Sequence, residues 1–391
     1  MRGRALRVAM VHGPGSTRHD GVSDYVARLV ETVPNHEVQV RALAVRPGRR
    51  GGWWAGVARV AGQLRRWQPD VVHVQFAPSA YRFTPALGTL PLLLPRGTTL
   101  VTTVHEYGWW AVPGWLPPAA WRPLERWGRW DRETGRLVPA SGAVVVTNAG
   151  HGTQVRRRTG VRTVEIPLAP NVTVHPPAPD VRARVRRELR LPPQACLLVF
   201  FGFVHPVKGV RYAVEALPAV RAHRSDVHLV VAGGFTSQAL PEPAATAYRE
   251  ELDGLVRRLG VTDAVTFTGH LPAARISALL HAGDVGVLPF THGVTVKSGA
   301  LLAALAHGLP TAVTAADDPD PALQDGRTVA VIPARRDAAA VAATVRRLLV
   351  DDSRRARLAA GGRAVAAGRS WDGVAARHRA LYAEVRGCGD G

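Results

Sequence analysis

Cysteine and long apolar runs are both scarce in this chain of 391 residues. Cys196 and Cys388 are its only cysteines, so we expect neither a disulfide framework nor a zinc site. The longest apolar stretch, residues 87–94, contains Pro91 and is far shorter than the roughly 20 residues that span a bilayer. Residues 1–10 indicate a first strand and not a signal peptide. We therefore expect a cytoplasmic protein without a transmembrane helix.

The formal net charge of +20 raises the question of a polyanionic partner. The arginines are spread along the whole chain without a zinc-finger or RNA-recognition signature, so we expect no nucleic acid. One exception is residues 49–67, where five arginines alternate with Trp53, Trp54 and Trp67. This pattern is found in an interfacial helix on anionic lipid, and more commonly in an ordinary amphipathic helix. Peripheral contact with the inner face of the cell membrane is therefore an alternative that stays open.

Lysine occurs only as Lys208 and Lys297 among 50 basic residues. Such a preference for arginine is typical of a GC-rich genome, so a lysine that persists has a role that arginine fills less well. A compact ammonium against a phosphate is one such role. Both lysines lie in glycine-flanked loops before predicted helices, although two lysines could also fall in loops by chance.

Short apolar strands alternate with amphipathic helices through both halves of the chain, which predicts an α/β fold with parallel sheets covered on both faces. Residues 170–180 contain four prolines and no periodicity, and are the predicted linker between two doubly wound domains. In such folds ligands bind at the carboxyl ends of the strands. The predicted strands are residues 7–11, 38–43, 70–74, 99–104, 143–147, 196–201, 228–232, 265–267, 285–288 and 311–314.

Two segments of the second half resemble the donor half of the family 4 retaining glycosyltransferases. They are residues 200–209, Phe-Phe-Gly-Phe-Val-His-Pro-Val-Lys-Gly, and residues 298–310, Ser-Gly-Ala-Leu-Leu-Ala-Ala-Leu-Ala-His-Gly-Leu-Pro. The first half is similar more loosely, through residues 20–22, 70–73 and 103–106. The resemblance implies the α/β GT-B fold, in which two doubly wound Rossmann-like domains face each other across a cleft. It implies an acceptor-binding domain at 1–175, a nucleotide-sugar-binding domain at 176–370, and a last helix at 371–391 that crosses back to the first domain.

The resemblance also implies the site residues. Lys208 would neutralise the donor diphosphate, and His105 would lie beside the transferred sugar, although His105 could instead be a strand-end histidine bonded to backbone. Lys297 is expected to touch the donor, which makes three candidate catalytic residues. The further donor-binding residues are Gly21, Gly202, His205, Gly269, His270, Thr295, Ser298 and Gly299, where Gly21, Ser298 and Gly299 offer backbone amides at helix N-termini.

Two features depart from the family pattern. Thr295 and Ala303 stand where members commonly carry two glutamates, and Phe203 stands where an arginine is often found. The second glutamate normally holds the donor ribose and the first lies by the sugar, so we expect a divergent subgroup. No Asp-any-Asp pair follows a strand, and the near match at 318–320 lies in a proline-rich loop, so we expect neither a metal nor a cofactor.

Three functions are compatible with these residues. The first is a retaining glycosyltransferase that moves a sugar from a nucleoside diphosphate sugar to a hydroxyl of a glycan, lipid-linked or small-molecule acceptor, in glycan, glycolipid or natural-product biosynthesis. The second is an inverting transferase or epimerase of the same fold, with His105, Glu106 or His12 as base. The third is a catalytically silent protein that binds a nucleotide sugar and supports another transferase.

Overall fold

A computed structural model of the chain describes residues 4–14, 21–50, 52–108, 110–111, 117–235, 240 and 242–387. The chain divides into two units, Met1–Pro167 with Trp371–Gly391, and Leu168–Ser370. The change of unit falls before the proline-rich segment and not after residue 175, so this segment belongs to the second unit. The segment from Trp371 groups with the first unit.

Each unit contains a six-stranded sheet in which every strand pairs in parallel. The strands of the first sheet are β1 (Leu6–His12), β2 (Val38–Ala44), β3 (Val71–Phe76), β4 (Thr99–Val104), β5 (Ala143–Val146) and β6 (Thr163–Glu165). Those of the second sheet are β7 (Cys196–Phe201), β8 (Val227–Ala232), β9 (Val265–Gly269), β10 (Val285–Leu288), β11 (Thr311–Thr314) and β12 (Ala330–Ile332).

Helices connect the strands. The first unit contains α1 (Gly21–Thr32), α2 (Gly52–Trp67), α3 (Pro118–Arg126) and α4 (Ala149–Thr159). The second contains α5 (Val181–Glu188), α6 (Val210–Arg221), α7 (Glu242–Arg258), α8 (Ala273–Ala282), α9 (Gly299–Ala306), α10 (Ala338–Val350) and α11 (Asp352–Ala367). The last helix is α12 (Trp371–Gly387), and short 3-10 helices lie at Pro78–Tyr81, Ala86–Leu93, Pro206–Lys208 and Thr262–Ala264.

Strand β7 shows how the second sheet is covered on both faces. Its residues alternate between two apolar clusters, because successive side chains of a strand point to opposite faces. Cys196, Leu198 and Phe200 pack with residues of α6, α7 and α10. Leu197 and Val199 pack with residues of α5, α8 and α9. This strand is hence an uninterrupted apolar run, as expected for a parallel sheet buried on both sides.

Strand β3 shows a different pattern in the first sheet, although it too is buried along its whole length. Val72, Val74 and Phe76 join the apolar cluster formed with α2 and the 3-10 helix that follows β3. His73 and Gln75 point to the opposite face and are fully buried. On that face His73 contacts α12, which packs against α1.

All ten strands predicted from the sequence are present, with end points that shift by a few residues. The two strands that the periodicity missed, β6 and β12, are three residues long and lie at the edges of their sheets. A run of three residues is too short for an alternating or continuous apolar pattern to indicate a strand.

Candidate active site

The second sheet has the strand order β12-β11-β10-β7-β8-β9, so the chain reverses direction across the sheet between β7 and β10. Ligands of doubly wound sheets bind outside the carboxyl ends of the strands at this point. The loops after these two strands touch each other. The Lys208 Nζ lies 3.9 Å from the centroid of the Phe290 ring, and the Thr291 amide donates to the Val207 carbonyl at 2.9 Å.

The loop after β7 holds Lys208 through a short 3-10 turn. His205 precedes this turn, and its Nδ1 accepts a hydrogen bond from the Val207 amide at 3.2 Å. Gly209 ends the turn with φ +67°, and a Cβ there would lie 2.0 Å from the Pro289 carbonyl oxygen. Only glycine allows this approach of the loop to the end of β10. The backbone around Lys208 is therefore fixed at the reversal point of the sheet.

Lys208 is half-buried, and burial lowers the pKa of its ammonium to about 8. In the described part of the chain no carboxylate forms an ion pair with it. Its contact with the face of Phe290 stabilises a cation only modestly. A buried cation without a counterion is unfavourable, so this position favours the binding of an anion.

Helix α9 begins directly beyond the loop after β10. Ser298 is its N-cap, since the Ser298 Oγ accepts from the Leu301 amide at 3.2 Å. The first amides of the helix and its dipole make this end favourable for a phosphate. The carboxamide of Asn171, which sequence reasoning did not single out, lies over this end: a Cβ on Gly299 would be 3.1 Å from the Asn171 Cγ.

A tight turn precedes Ser298 and contains the other two expected residues of this loop. The Thr295 carbonyl accepts from the Ser298 amide at 3.0 Å, and the Thr295 Oγ1 accepts from the Lys297 amide at 3.4 Å. Burial lowers the pKa of Lys297, and the charge of Asp320 opposes this effect. Asp320 also anchors the turn, because its Oδ2 accepts from the Val296 amide at 3.2 Å.

Three glycines line the carboxyl ends of β7, β8 and β9. The Gly233 amide donates to the Gly269 carbonyl at 3.0 Å, and a Cβ on Gly233 would lie 1.9 Å from the Gly202 carbonyl oxygen. Gly202 has φ +132° and approaches Ala300 in the first turn of α9. Gly202, Gly269 and the exposed His270 thus lie along one edge with the Lys208 loop.

In the first unit, His105 follows β4 directly and is half-buried. Its Nε2 lies 2.9 Å from the Gln75 Oε1, and its ring packs edge-on against Tyr25 with 5.2 Å between centroids. Tyr25 belongs to the first turns of α1, which begins at Gly21. Burial, reinforced by the nearby His151 and His378, lowers the pKa of His105 to about 3. The imidazole is therefore neutral at physiological pH.

Glu106 follows His105 and points toward the loop after β3. The Ser79 hydroxyl donates to its Oε1 at 3.1 Å, whereas its buried Oε2 finds no hydrogen-bond partner among the residues described. Burial raises the pKa of this carboxyl group, and the bond from Ser79 opposes the rise. Trp109, which follows Gly108 in this loop, lies outside the described residues.

The loop that carries His105 is held by charged residues that the sequence did not reveal. The Gly108 amide donates to both carboxylate oxygens of Glu133, at 2.9 and 2.8 Å, and the Tyr107 hydroxyl donates to Asp131 at 2.6 Å. Arg158 forms an ion pair with Glu133 and lies over the Tyr107 ring. Asp131 and Glu133 are fully buried, which fixes the loop at its far end.

No three His, Cys, Asp or Glu side chains come together to hold a metal ion within the ranges that the structure describes. The near match at residues 318–320 does not form such a group, since Asp320 accepts bonds from the Val296 and Ala322 amides instead.

Solved structures define the fold class of the chain. The Anabaena Alr3699/HepE structure in complex with UDP and glucose gives a TM-score of 0.70 at 15% identity, covering 97% of this chain and 100% of that chain. Sucrose-phosphate synthase (tll1590) from Thermosynechococcus elongatus gives 0.72 at 19% identity, with 98% and 100% covered. WaaG, a glycosyltransferase involved in lipopolysaccharide biosynthesis, gives 0.66 at 17% identity, with 96% and 99% covered. These likenesses show the GT-B fold, as expected.

Sequence relatives narrow the class to a family. Residues 7–175 match the model described as Glycosyltransferase Family 4, and residues 195–351 match Glycosyl transferases group 1. A D-inositol 3-phosphate glycosyltransferase from Xylanimonas cellulosilytica is 30% identical over 356 residues, which cover 87% of this chain and 78% of the relative. A glycogen synthase from Mycobacterium tuberculosis H37Rv is 29% identical over 301 residues, with 76% and 65% covered. The chain belongs to glycosyltransferase family 4.

Proposed function

We propose that this glycosyltransferase moves a sugar from a nucleoside diphosphate sugar to an acceptor hydroxyl with retention of anomeric configuration. The observation that carries the proposal is the half-buried Lys208, which has no ion-pair partner in the described chain and lies where the loops after β7 and β10 meet. Gly202 connects the same loop to the first turn of α9. A diphosphate bound there would meet one ammonium group and the amides of one helix N-terminus.

The proposed chemistry is electrostatic. As the bond from the anomeric carbon to the diphosphate breaks, negative charge grows on the leaving oxygen and positive charge grows on the sugar ring. Lys208 and the α9 amides stabilise the negative charge on the leaving oxygen. Preorganised electrostatic interactions of this kind usually make the largest contribution to catalysis. Lys297 would contact the phosphates or the sugar. The neutral His105 is not a general acid near pH 7, since its pKa lies at about 3, and serves as a hydrogen-bonding partner of the sugar.

Similar proteins support the proposed donor and acceptor. HepE structures contain UDP, UDP with glucose, or UDP-glucose, so we infer a nucleotide-sugar donor in the second unit. The relatives include glycosyltransferases of D-inositol 3-phosphate, which supports a glycan, lipid-linked or small-molecule hydroxyl acceptor in the first unit. Lys208 would neutralise the diphosphate without a metal. We propose that the transfer takes part in glycan, glycolipid or natural-product biosynthesis.

A catalytically silent role is the second candidate, because Thr295 and Ala303 replace the two glutamates of the family. Release of nucleoside diphosphate by the purified protein separates the two functions. We expect release from at least one nucleotide sugar in the presence of acceptor, and a much slower release by Lys208→Ala. The anomeric configuration of the product, read from its proton coupling constant by NMR, tests retention. Nucleotide binding without release from any sugar nucleotide would support the silent role, and inversion would point to His105, Glu106 or His12 as base.

Contact with a membrane is a separate prediction. The structure describes no helix that is long and apolar enough to cross a bilayer. Helix α2 turns its apolar side to the core, Trp53 packs on Tyr81, and Trp67 lies against two guanidinium groups. Trp54 is 54% exposed, so its side chain is accessible to a lipid surface. Co-sedimentation with anionic but not zwitterionic vesicles, reduced by Trp54→Ala, would support peripheral binding at the inner face of the membrane.

A further inference from the structure

Beneath His105 lies a group of buried polar side chains that the proposed donor chemistry does not use. His73 and Gln75 occupy the face of β3 that α12 covers, and neither is exposed to solvent. Burying such groups is unfavourable unless each is hydrogen-bonded. An apolar pair would fill this face at lower cost, as Val72 and Val74 do on the other face of the same strand.

These side chains form a continuous chain of hydrogen bonds that starts at His105. The His105 Nε2 lies 2.9 Å from the Gln75 Oε1, and the Gln75 Nε2 lies 3.2 Å from the His73 Nε2. The His73 Nδ1 lies 2.6 Å from the hydroxyl of Tyr382 on α12. The Thr103 hydroxyl also contacts the His73 Nε2, at 2.7 Å. We call His105, Gln75, His73 and Tyr382 the His105 chain.

Each member of this chain constrains the next, because a neutral imidazole has one donor and one acceptor nitrogen. Both histidines are neutral, since burial lowers the pKa of His105 and of His73. With the Gln75 oxygen facing His105, this oxygen can only accept, which requires the His105 proton on Nε2. The Gln75 nitrogen then faces His73 and can only donate, which requires the His73 Nε2 to accept and His73 to donate from Nδ1 to Tyr382. Turning over the Gln75 amide would reverse every bond and move the His105 proton to Nδ1.

The position of this proton decides what His105 can bind. Its Nδ1 has no hydrogen-bond partner in the described part of the protein, and the residue is half-exposed. With the proton on Nε2, the Nδ1 lone pair accepts a hydrogen bond from a hydroxyl group. With the proton on Nδ1, the same nitrogen would instead donate to a carbonyl or phosphate oxygen.

We propose that Gln75, His73 and Tyr382 are positioning residues that fix the proton of His105 on Nε2 and keep Nδ1 as the acceptor for a hydroxyl of the transferred sugar. The identity of the ligand as the transferred sugar rests on the proposed function, whereas the position of the His105 proton does not. Helix α12 supplies the last member of the chain, which gives the C-terminal segment of the first unit a role in the site as well as in packing.

The test is the two-bond proton–nitrogen NMR spectrum of the full chain labelled with ¹⁵N in its histidines, with His105 identified by the signal lost in His105→Gln. In the wild type we expect a neutral ring with the proton on Nε2. Tyr382→Phe keeps the ring but removes the acceptor of the His73 proton. That proton can then move to Nε2 and face Thr103, after which Gln75 turns over and the His105 proton moves to Nδ1.

Tyr25→Phe is the matched control. It also removes one buried hydroxyl beside His105, but that hydroxyl makes no hydrogen bond among the described residues. We expect the His105 proton to stay on Nε2 in this variant. The same result in Tyr382→Phe, or a wild-type ring with its proton on Nδ1, would refute the proposal.

A second variant keeps the test open if Tyr382→Phe does not fold. Gln75→Glu places a carboxylate at His105, which keeps the proton on Nε2 and raises the pKa of the ring into the range of about 5 to 8. The other titratable groups near the ring, Tyr25, His73, His151 and His378, are the same in both proteins. An unchanged titration of His105 would show that Gln75 is not its partner. Because no donor is present, these spectra decide on the chain even if the protein transfers no sugar.

Discussion

Replacing Lys208 by alanine tests the proposed donor site most directly. The variant removes an ammonium group that lies against the Phe290 ring and forms no ion pair among the described residues, so we expect the fold to remain intact. The loss of one preorganised electrostatic donor costs about 2 to 4 kcal/mol of transition-state stabilisation. This corresponds to a fall in kcat/KM of about 30- to 1,000-fold.

The pH dependence follows from the lowered pKa of Lys208, at about 8. The charged form binds the diphosphate, so affinity falls as the pH rises through about 8 and the free protein loses this proton. Above about pH 8, we expect the affinity to weaken about tenfold per pH unit until the pH reaches the pKa of Lys208 in the diphosphate complex. Titration calorimetry of nucleoside diphosphate between about pH 7 and pH 9.5 measures the slope, and Lys208→Ala should lose this component.

The ionisation of Lys208 also affects the free energy of unfolding, which it raises with pH, whereas it lowers the affinity for the diphosphate. The folded protein holds this pKa below the value of 10.5 for an unburied lysine, so the unfolded chain binds more protons between about pH 8 and pH 10.5. The contribution of Lys208 to the free energy of unfolding therefore rises with pH across this window. Comparing wild type with Lys208→Ala by urea denaturation isolates it.

Arg346→Ala is the control for both measurements, because it removes one exposed positive charge from α10 of the same unit. A general effect of net charge would change both variants alike. Near-normal kinetics in a folded Lys208→Ala protein, or the same pH slope in wild type and variant, would show that the diphosphate binds elsewhere.

Four further predictions concern the two units separately. Lys297→Arg should impair transfer, and Lys297→Ala should impair it more. In calorimetry of Lys297→Ala, weaker binding of both nucleoside diphosphate and sugar nucleotide indicates a phosphate contact, whereas weaker binding of the sugar nucleotide alone indicates a sugar contact. Unchanged affinity for both ligands would show that Lys297 is not part of the site. Activity should survive excess chelator in the release assay, and complete loss restored by magnesium or manganese would contradict charge neutralisation by Lys208. Arg158→Ala leaves Glu133 buried without its cation and should lower the free energy of unfolding by about 3 to 5 kcal/mol. Replacing its exposed neighbour, in Arg157→Ala, should change this free energy by less than about 0.5 kcal/mol. Equal effects of the two substitutions would contradict the anchoring role of Arg158. Asn171→Ala should weaken nucleoside diphosphate binding about fivefold, the effect of one lost hydrogen bond, with an unchanged melting temperature, and unchanged affinity would place the Asn171 carboxamide outside the site.

The parts of the site that follow strands directly could be predicted from the sequence. An apolar run that ends in glycine marks the carboxyl end of a buried strand, and parallel strands bring all such ends to one edge. For this reason the sequence predicts Gly202 and Gly269 at the carboxyl ends of two strands, and they lie there along one edge in the second unit. Their roles toward a donor stay predictions.

The contacts that hold the site could not be predicted in this way. Tyr382 and His73 are separated by 309 residues, and Arg158 and Glu133 by 25, so no local pattern connects them. Their pairing depends on which face of a strand or helix each side chain occupies after packing. His73 and Gln75 alternate correctly for a strand, but alternation does not reveal that their face is the covered one.

The missing glutamates have a physical explanation in the second unit. Ala303 is fully buried in an apolar cluster with Val172, and Gly299, one turn earlier on α9, lies under the Asn171 carboxamide. A glutamate at position 303 would place a carboxylate into that cluster, which is unfavourable without a paired cation. Alanine there allows the segment before α5 to pack on α9 and brings Asn171 to the helix N-terminus. An amide can donate and accept hydrogen bonds without repelling a diphosphate, so this end of α9 keeps its dipole and its capping serine without a carboxylate at either family position. The departure from the family pattern therefore leaves the candidate donor site without two carboxylates, while the capped N-terminus of α9 that we propose for the phosphates is formed.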